Sequence, residues 1–152
     1  MKPLIITYQP EYKNQFINLN KAWLEEFFVI EPHDNEVFNN IESYILEPGG
    51  MIFFCIVNNE VAGTVAMQKV NNTTYELAKL AVAKKFQGLK LSNLLMDSCL
   101  AFAKAKKAEM IMLLSNRKLE NALRLYEKYG FIEVPMQEND YTRANIQMEL
   151  KL

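Results

Sequence analysis

The apolar pattern of this chain changes its period over one short stretch. In "YELAKLAV" (Tyr75–Val82) apolar residues alternate, as on a half-buried strand. Beyond Leu89 they recur as Leu91, Leu94, Leu95, Cys99 and Phe102, which share one helical face. Only "AKKFQGLK" lies between, so a strand runs almost directly into a helix that must pack back on its sheet.

The rest of the chain can be read around that junction. "LIITY" (Leu4–Tyr8) is a short strand, and Pro10 suits the first turn of a helix with Phe16, Leu19, Trp23 and Phe27 on its core face. Pro32 ends that helix, and a second one is expected from Val37 to Leu46, stopped by "EPGG". "MIFFCIV" (Met51–Val57), "VAGTVAMQKV" and "YELAKLAV" form a meander turned by "NNE" and "NNTT". "MIMLLS" (Met110–Ser115) is a buried strand, and "LENALRLYEKYG" is a helix capped by Gly130. "FIEV" and "YTRANIQMEL" close the chain as strands. The order β-α-α-β-β-β-α-β-α-β-β predicts an α+β fold, three-layered and α/β-like, not a doubly wound parallel sheet. Its sheet is mixed and mostly antiparallel, with seven strands flanked by about four helices, in one domain over 1–152.

Composition narrows the function. A net charge of −1 and a pI near 5.9 give no basic field for nucleic acid, so an anionic ligand must be caught locally. Cys55 and Cys99 lie far apart in apolar segments without a CxxC spacing, and are expected as free buried thiols. The N-terminal apolar run is too short for a signal peptide, and no segment approaches the ~20 apolar residues of a membrane helix. The expectation is a cytoplasmic protein with no membrane partner. His33 is the single histidine, which removes multi-histidine metal sites and most histidine triads, so no metal is expected. Neither a P-loop nor a dinucleotide fingerprint occurs.

Two stretches carry chemistry. After the strand through Leu80 and Val82, a loop with Lys84, Lys85 and Gln87 leads into a helix near Lys90. A first helical turn offers unpaired N–H groups and a favourable dipole, and Gly88 and Ser92 are small enough to let an anion approach. Taken alone, the stretch fits a phosphate cradle or an ordinary helix start. In "SNRKLENALRLYEKYGF", Asn116 ends a buried strand, where its amide could bond an extended chain beside it. Leu119, Ala122 and Tyr126 line one helical face, which alone reads as a core stripe.

Together the two stretches resemble the GNAT acyltransferase superfamily. Its acyl-CoA motif, V-x-x-x-[YF]-[RQ]-x-x-G-x-[GA], is matched at Val82, Phe86 and Gln87, with Lys90 and Ser92 at the two small positions. Its second motif, N-x-x-L-x-x-A-x-x-L-Y-x-x-x-G-F, is met by Asn116, Leu119, Ala122, Leu125, Tyr126, Gly130 and Phe131. Element order matches too, so the resemblance covers nearly the whole chain. Lysine where the family has glycine implies a negative φ at Lys90, or strain.

The resemblance implies an N-acetyltransferase using acetyl-CoA as cosubstrate, without a metal. The acetyl group would pass to a primary amine of a small-molecule or amino-acid-like acceptor by direct attack in a ternary complex. It implies pantetheine along Leu80 and Val82, opposite the Asn116 strand, and pyrophosphate on the amides from Gln87 through Gly88, Leu89, Lys90 and Leu91 to Ser92. An amide near Leu80 or Ala81 would polarise the thioester carbonyl. Leu119 and Ala122 would share the cofactor wall with Tyr126. Tyr126 aligns with the general acid, and Glu76 stands where many members carry a general base, an ordinary strand carboxylate being the alternative. By the period-two rule Glu76, Ala78, Leu80 and Val82 share a strand face.

The acceptor pocket is expected between the first two helices and the "PMQENDYTR" hairpin. Glu25, Glu26, Glu31 and Asp34 would favour a cationic amine, whereas Tyr141 and Arg143 would read a carboxylate. Two other functions fit the same pattern: a catalytically idle acyl-CoA-binding module, and a protein-lysine or N-terminal acetyltransferase. Sheet-mediated homodimers are common in the resembled family, so a homodimer is a further expectation.

Overall fold

A computed structural model describes residues 2–152. Seven strands form one sheet in the order β1-β2-β3-β4-β5-β7-β6. They are β1 Leu4–Thr7, β2 Met51–Val57, β3 Glu60–Lys69, β4 Thr74–Val82, β5 Met110–Ser115, β6 Ile132–Val134 and β7 Ile146–Lys151. Helices α1 (Lys13–Phe27), α2 (Pro32–Phe38), α3 (Leu91–Ala105) and α4 (Glu120–Lys128) cover it, with three shorter helical turns. Neighbouring strands are antiparallel except β4 and β5, as the sequence predicts. Among the described residues no helix is long and apolar enough to cross a membrane.

The β2–β3 hairpin is tight because Asn58 and Asn59 both take positive φ, 51° and 65°, which asparagine tolerates and a right-twisted hairpin requires. Helix α4 ends in a Schellman motif. Gly130, at φ 98°, donates its N–H to Glu127 at 2.9 Å, and the Phe131 N–H reaches the Tyr126 carbonyl at 3.1 Å. The Phe131 ring packs 6.0 Å from the Tyr126 ring, so the cap also fixes Tyr126.

Three expectations need correction. Pro32 begins α2 instead of ending a helix, because proline fits the first helical position and Glu31 precedes it as the cap. The Glu31 N–H donates to Asp34 Oδ2 at 2.8 Å, half of a capping box. The helix expected over Val37–Leu46 is therefore split, with α2 ending at Phe38 and a separate wide turn over Glu42–Leu46. The last strand starts at Ile146, since Thr142 and Arg143 are held by Glu31 and cannot join the ladder.

The core has two parts. Phe53, Val65, Leu77, Leu95, Met96 and Ile111 belong to the cluster on the α3 and α4 side. Phe16, Leu24, Val37, Phe38, Ile41 and Phe54 form the cluster under α1 and α2.

Candidate active site

Strands β4 and β5 start as a pair and then separate. Thr74, Tyr75 and Glu76 are in register with Met110, Ile111 and Met112, and no pairing follows. The other edge of β4 is disturbed at the same height. Thr64 of β3 faces Ala81 and Ala66 faces Ala78, so Lys79 and Leu80 stand opposite Val65 alone. This is a two-for-one bulge, and Lys79 carries it at φ 58°. A left-handed lysine costs on the order of 1 kcal/mol, so the position is strained.

The bulge overturns the period-two expectation for this strand. Tyr75 and Leu77 pack in the α3-side cluster before it, and Leu80 and Val82 pack there after it. Glu76 therefore does not share a face with Leu80 and Val82. One inserted residue shifts the alternation, which no pattern of apolar residues reveals.

A cleft of about 540 Å³ opens where the strands part. Glu76, Leu80, Ala81 and Val82 line it from β4, and Asn116, Leu119, Ala122 and Tyr126 from the β5–α4 side. Gln87 and Ser92 line it at the α3 end. Leu91 turns into the core and Leu89 is exposed. Around this end the backbone is left open. The Gln87 N–H bonds Lys84 at 3.2 Å and the Asn93 N–H bonds Lys90 at 3.2 Å, whereas the N–H groups of Gly88 to Ser92 make no hydrogen bond among the described residues. Lys90 caps α3 at φ 60°, ψ 26°, so the lysine does adopt the strained conformation and not a negative φ. Gly88 has φ 81° and nothing within 4 Å of where a Cβ would stand.

Asn116 is already engaged. Its Nδ2 donates to the Arg143 carbonyl at 2.7 Å, and its Oδ1 accepts from the Lys118 N–H at 2.9 Å. The Tyr126 hydroxyl makes no hydrogen bond among the described residues, and burial raises its pKa to about 12. Glu76 likewise has neither hydrogen bond nor ion pair there, and burial raises its pKa.

The part of the cleft under α2 holds a charged network. Arg143 donates to Asp34 with both terminal nitrogens, at 2.8 and 2.7 Å, and to Glu31 Oε2 at 3.3 Å. Glu31 also accepts from the Thr142 N–H and hydroxyl at 2.7 and 3.0 Å. Burial pushes both carboxyls upward, but these partners outweigh it and hold Glu31 and Asp34 below the usual range. The two conflicting sequence cues, acidic loop and Arg143, thus satisfy one another. Glu26 lies apart, bridged to Lys84 at 3.3 Å.

Lys79 is the residue that sequence reasoning missed. Its side chain is 7 % exposed, and its Nζ bonds the Tyr141 hydroxyl at 3.2 Å and stands 3.8 Å from Asp34 Oδ1. Burial lowers its pKa to about 8. The available signal was a lysine inside the apolar run "YELAKLAV". Also unanticipated is a strap over the mouth, where Lys118 Nζ bonds the Phe27 carbonyl at 2.6 Å and lies 4.0 Å from the Phe28 ring centroid.

Comparison with known proteins finds the same fold. A 2.20 Å crystal structure of a GNAT-family acetyltransferase from Staphylococcus aureus superposes with a TM-score of 0.89 at 24 % identity, covering 99 % of each chain. A paia N-acetyltransferase from Thermoplasma acidophilum, in complex with coenzyme A, gives a TM-score of 0.74 at 16 % identity over 100 % of both chains. In sequence, the chain is 30 % identical over 105 residues to an N-acetylaspartate synthetase of Danio rerio, a match that takes in 68 % of this chain. It spans 37 % of the length of that relative. The acetyltransferase (GNAT) family model matches residues 15–131, and the chain belongs to that family.

Proposed function

We propose that the protein is an acetyl-CoA-dependent N-acetyltransferase acting on a primary amine of a small, amino-acid-like acceptor. One juxtaposition carries the reading: the free amides of Gly88–Ser92 and the parted strands β4 and β5 flank the cleft that holds Glu76 and Tyr126. Likeness to an N-acetylaspartate synthetase supports an amino acid as acceptor.

The cleft suits coenzyme A. Consecutive amides at a helix start match a pyrophosphate, and β4 beyond Glu76 has an unpaired edge for an extended pantetheine. When bound, acetyl-CoA supplies the thioester whose acetyl group is transferred. Leu80, Ala81 and Val82 would hold the pantetheine from one side, and Leu119 and Ala122 from the other. The bulge takes Lys79 and Leu80 out of regular pairing, so an amide there can polarise a carbonyl.

Glu76 acts as the base. A half-buried carboxylate with a raised pKa is better matched to neutral pH than an ordinary one. One proton leaves the acceptor ammonium through Glu76 to bulk water. The nitrogen then forms its bond to carbon as the carbon–sulfur bond breaks. Tyr126, whose high pKa keeps it protonated at neutral pH, gives its proton to the sulfur. The second proton shed by the nitrogen, as the amide forms, restores Tyr126. Asn116 serves by fixing the Arg143 backbone, and so the edge of the acceptor side.

The test is direct. Acetyl-CoA is expected to raise the melting temperature, and CoA thiol is expected to appear when amino acids are added. Absence of both effects would remove the reading.

A further inference from the structure

The charges of the acceptor side can be balanced residue by residue. Arg143 is spent on Asp34 and Glu31, and those two carboxylates are filled by Arg143, Thr142 and the Glu31 N–H. Lys118 and Glu120 also line the cleft but are exposed to solvent, which leaves Glu76 and Lys79 as the charged groups withdrawn from water with unused capacity. Lys79 has three N–H donors and one hydrogen bond, to Tyr141, with Asp34 beyond hydrogen-bond reach at 3.8 Å. Glu76 has no hydrogen-bond or ion-pair partner among the described residues. A charge partly or wholly withdrawn from water without a full partner is costly, so half-buried Glu76 and the buried Lys79 side chain each favour a ligand group of opposite sign.

From this we infer that the acceptor is an α-amino acid with an uncharged, apolar side chain, its carboxylate bound by Lys79 and its ammonium presented to Glu76. The inference rests on the acetyltransferase reading above. A dipolar ligand completes both groups at once, and a simple amine would complete Glu76 and leave Lys79 desolvated. An acidic amino acid would bring a second carboxylate, for which the cleft offers only the solvent-exposed Lys118, already bonded to the Phe27 carbonyl at 2.6 Å and seated over the Phe28 ring. The wall nearest α1 is mostly apolar, with Trp23, Leu24, Phe27 and Phe28 facing the same cleft beside Asn20, whose amide is bonded to the Phe16 carbonyl. Trp23 packs at 5.5 and 5.6 Å from the Phe27 and Phe28 rings, a continuous aromatic surface for an aliphatic or aromatic side chain. The bulge gives the arrangement its cause. It turns the strained Lys79 to the side of Tyr141 and Asp34, where regular alternation would send it into the α3-side core.

The experiment is steady-state acetylation by the purified protein at saturating acetyl-CoA. The acceptors are leucine, methionine and phenylalanine, the matched amines lacking the carboxylate, and aspartate. The amino acids are expected to exceed the matched amines and aspartate in kcat/KM by about 10-fold or more, the worth of one charge-assisted hydrogen bond. Lys79→Met is expected to raise KM for leucine by roughly 10- to 100-fold, with a smaller change in kcat and almost none for the matched amine. Equal use of amine and amino acid by the wild type overturns the proposal, as does a preference for aspartate. An equal effect of Lys79→Met on both acceptors does the same. If that variant does not fold, the wild-type panel decides alone. Thermal stabilisation by acetyl-CoA is read in parallel. If it is present with the opposite acceptor preference, this proposal fails and the enzyme reading stands; if it is absent with no CoA released, both fail.

Discussion

On the side of the sheet covered by α3 and α4, the core is made of apolar side chains and the rings of Tyr75 and Tyr126. The side under α1 and α2 buries Asn20, Glu31 and Asp34, with Lys79 and Arg143 beside Asp34. Both sides are packed, but they are held differently. One relies on non-directional burial, which tolerates small shifts. The other relies on charged hydrogen bonds that fail as a group when a member is lost. On the proposed function, the first side would keep the cofactor loop in place and the second would recognise the acceptor.

The largest expected effect lies where the two sides meet. Glu76→Gln removes the proposed base and is expected to lower kcat by roughly 100- to 10,000-fold, with the acetyl-CoA thermal shift unchanged. Tyr126→Phe should act in the same direction on turnover and spare acetyl-CoA binding. Full turnover in either variant removes that residue from the chemistry.

Next comes the charged side alone. Arg143→Met leaves Glu31 without a counter-charge and Asp34 with only Lys79 at 3.8 Å, and is expected to cost about 3–5 kcal/mol in urea unfolding. A loss below about 1 kcal/mol would mean that the two sides are not held differently after all.

Lys79 gives a smaller, pH-dependent effect. Its folded pKa of about 8 lies below the ordinary 10.5, so between those values the unfolded chain binds the extra proton. Stability should therefore rise as pH increases through that window, and the rise should vanish in Lys79→Met. A flat profile in the wild type would contradict the burial of the charge.

The smallest effect belongs to the cofactor side. Lys90→Gly relieves a left-handed side chain and is expected to change stability by about 1 kcal/mol or less, since glycine loses more backbone entropy. Its consequence for coenzyme A affinity shows whether the lysine charge helps the loop. Weaker binding in the glycine variant means that it does.

These differences also explain what could be read in the sequence. The strand–loop–helix junction, the β2–β3 turn and the Gly130 cap were legible because each rests on local chemistry: a change of period, two asparagines, one glycine. The motif through Asn116, Tyr126 and Phe131 carried the family with it. What escaped was non-local. Nothing near Lys79 in the sequence announces a bulge, because that depends on the register against Thr64 and Ala66. Nothing near Glu31 announces Arg143, because their pairing is set by the closed fold. An acidic loop is usually solvated, and here it became interior only when its counter-charge arrived from the far end of the chain.

That pairing bears on how the molecule assembles. Glu31 and Asp34 lie 109 to 112 positions from the Thr142 and Arg143 groups they bind, so the clasp cannot close until almost the whole sheet has been laid down. Contacts of such separation are entropically late. The acceptor side should therefore be the last part of the molecule to become native and the first to open. Native-state hydrogen exchange would read this as faster exchange at residues 31–34 and 142–145 than at Tyr75–Leu77. A newly made chain would then have the Gly88–Ser92 loop in place before the Glu31–Arg143 clasp had closed.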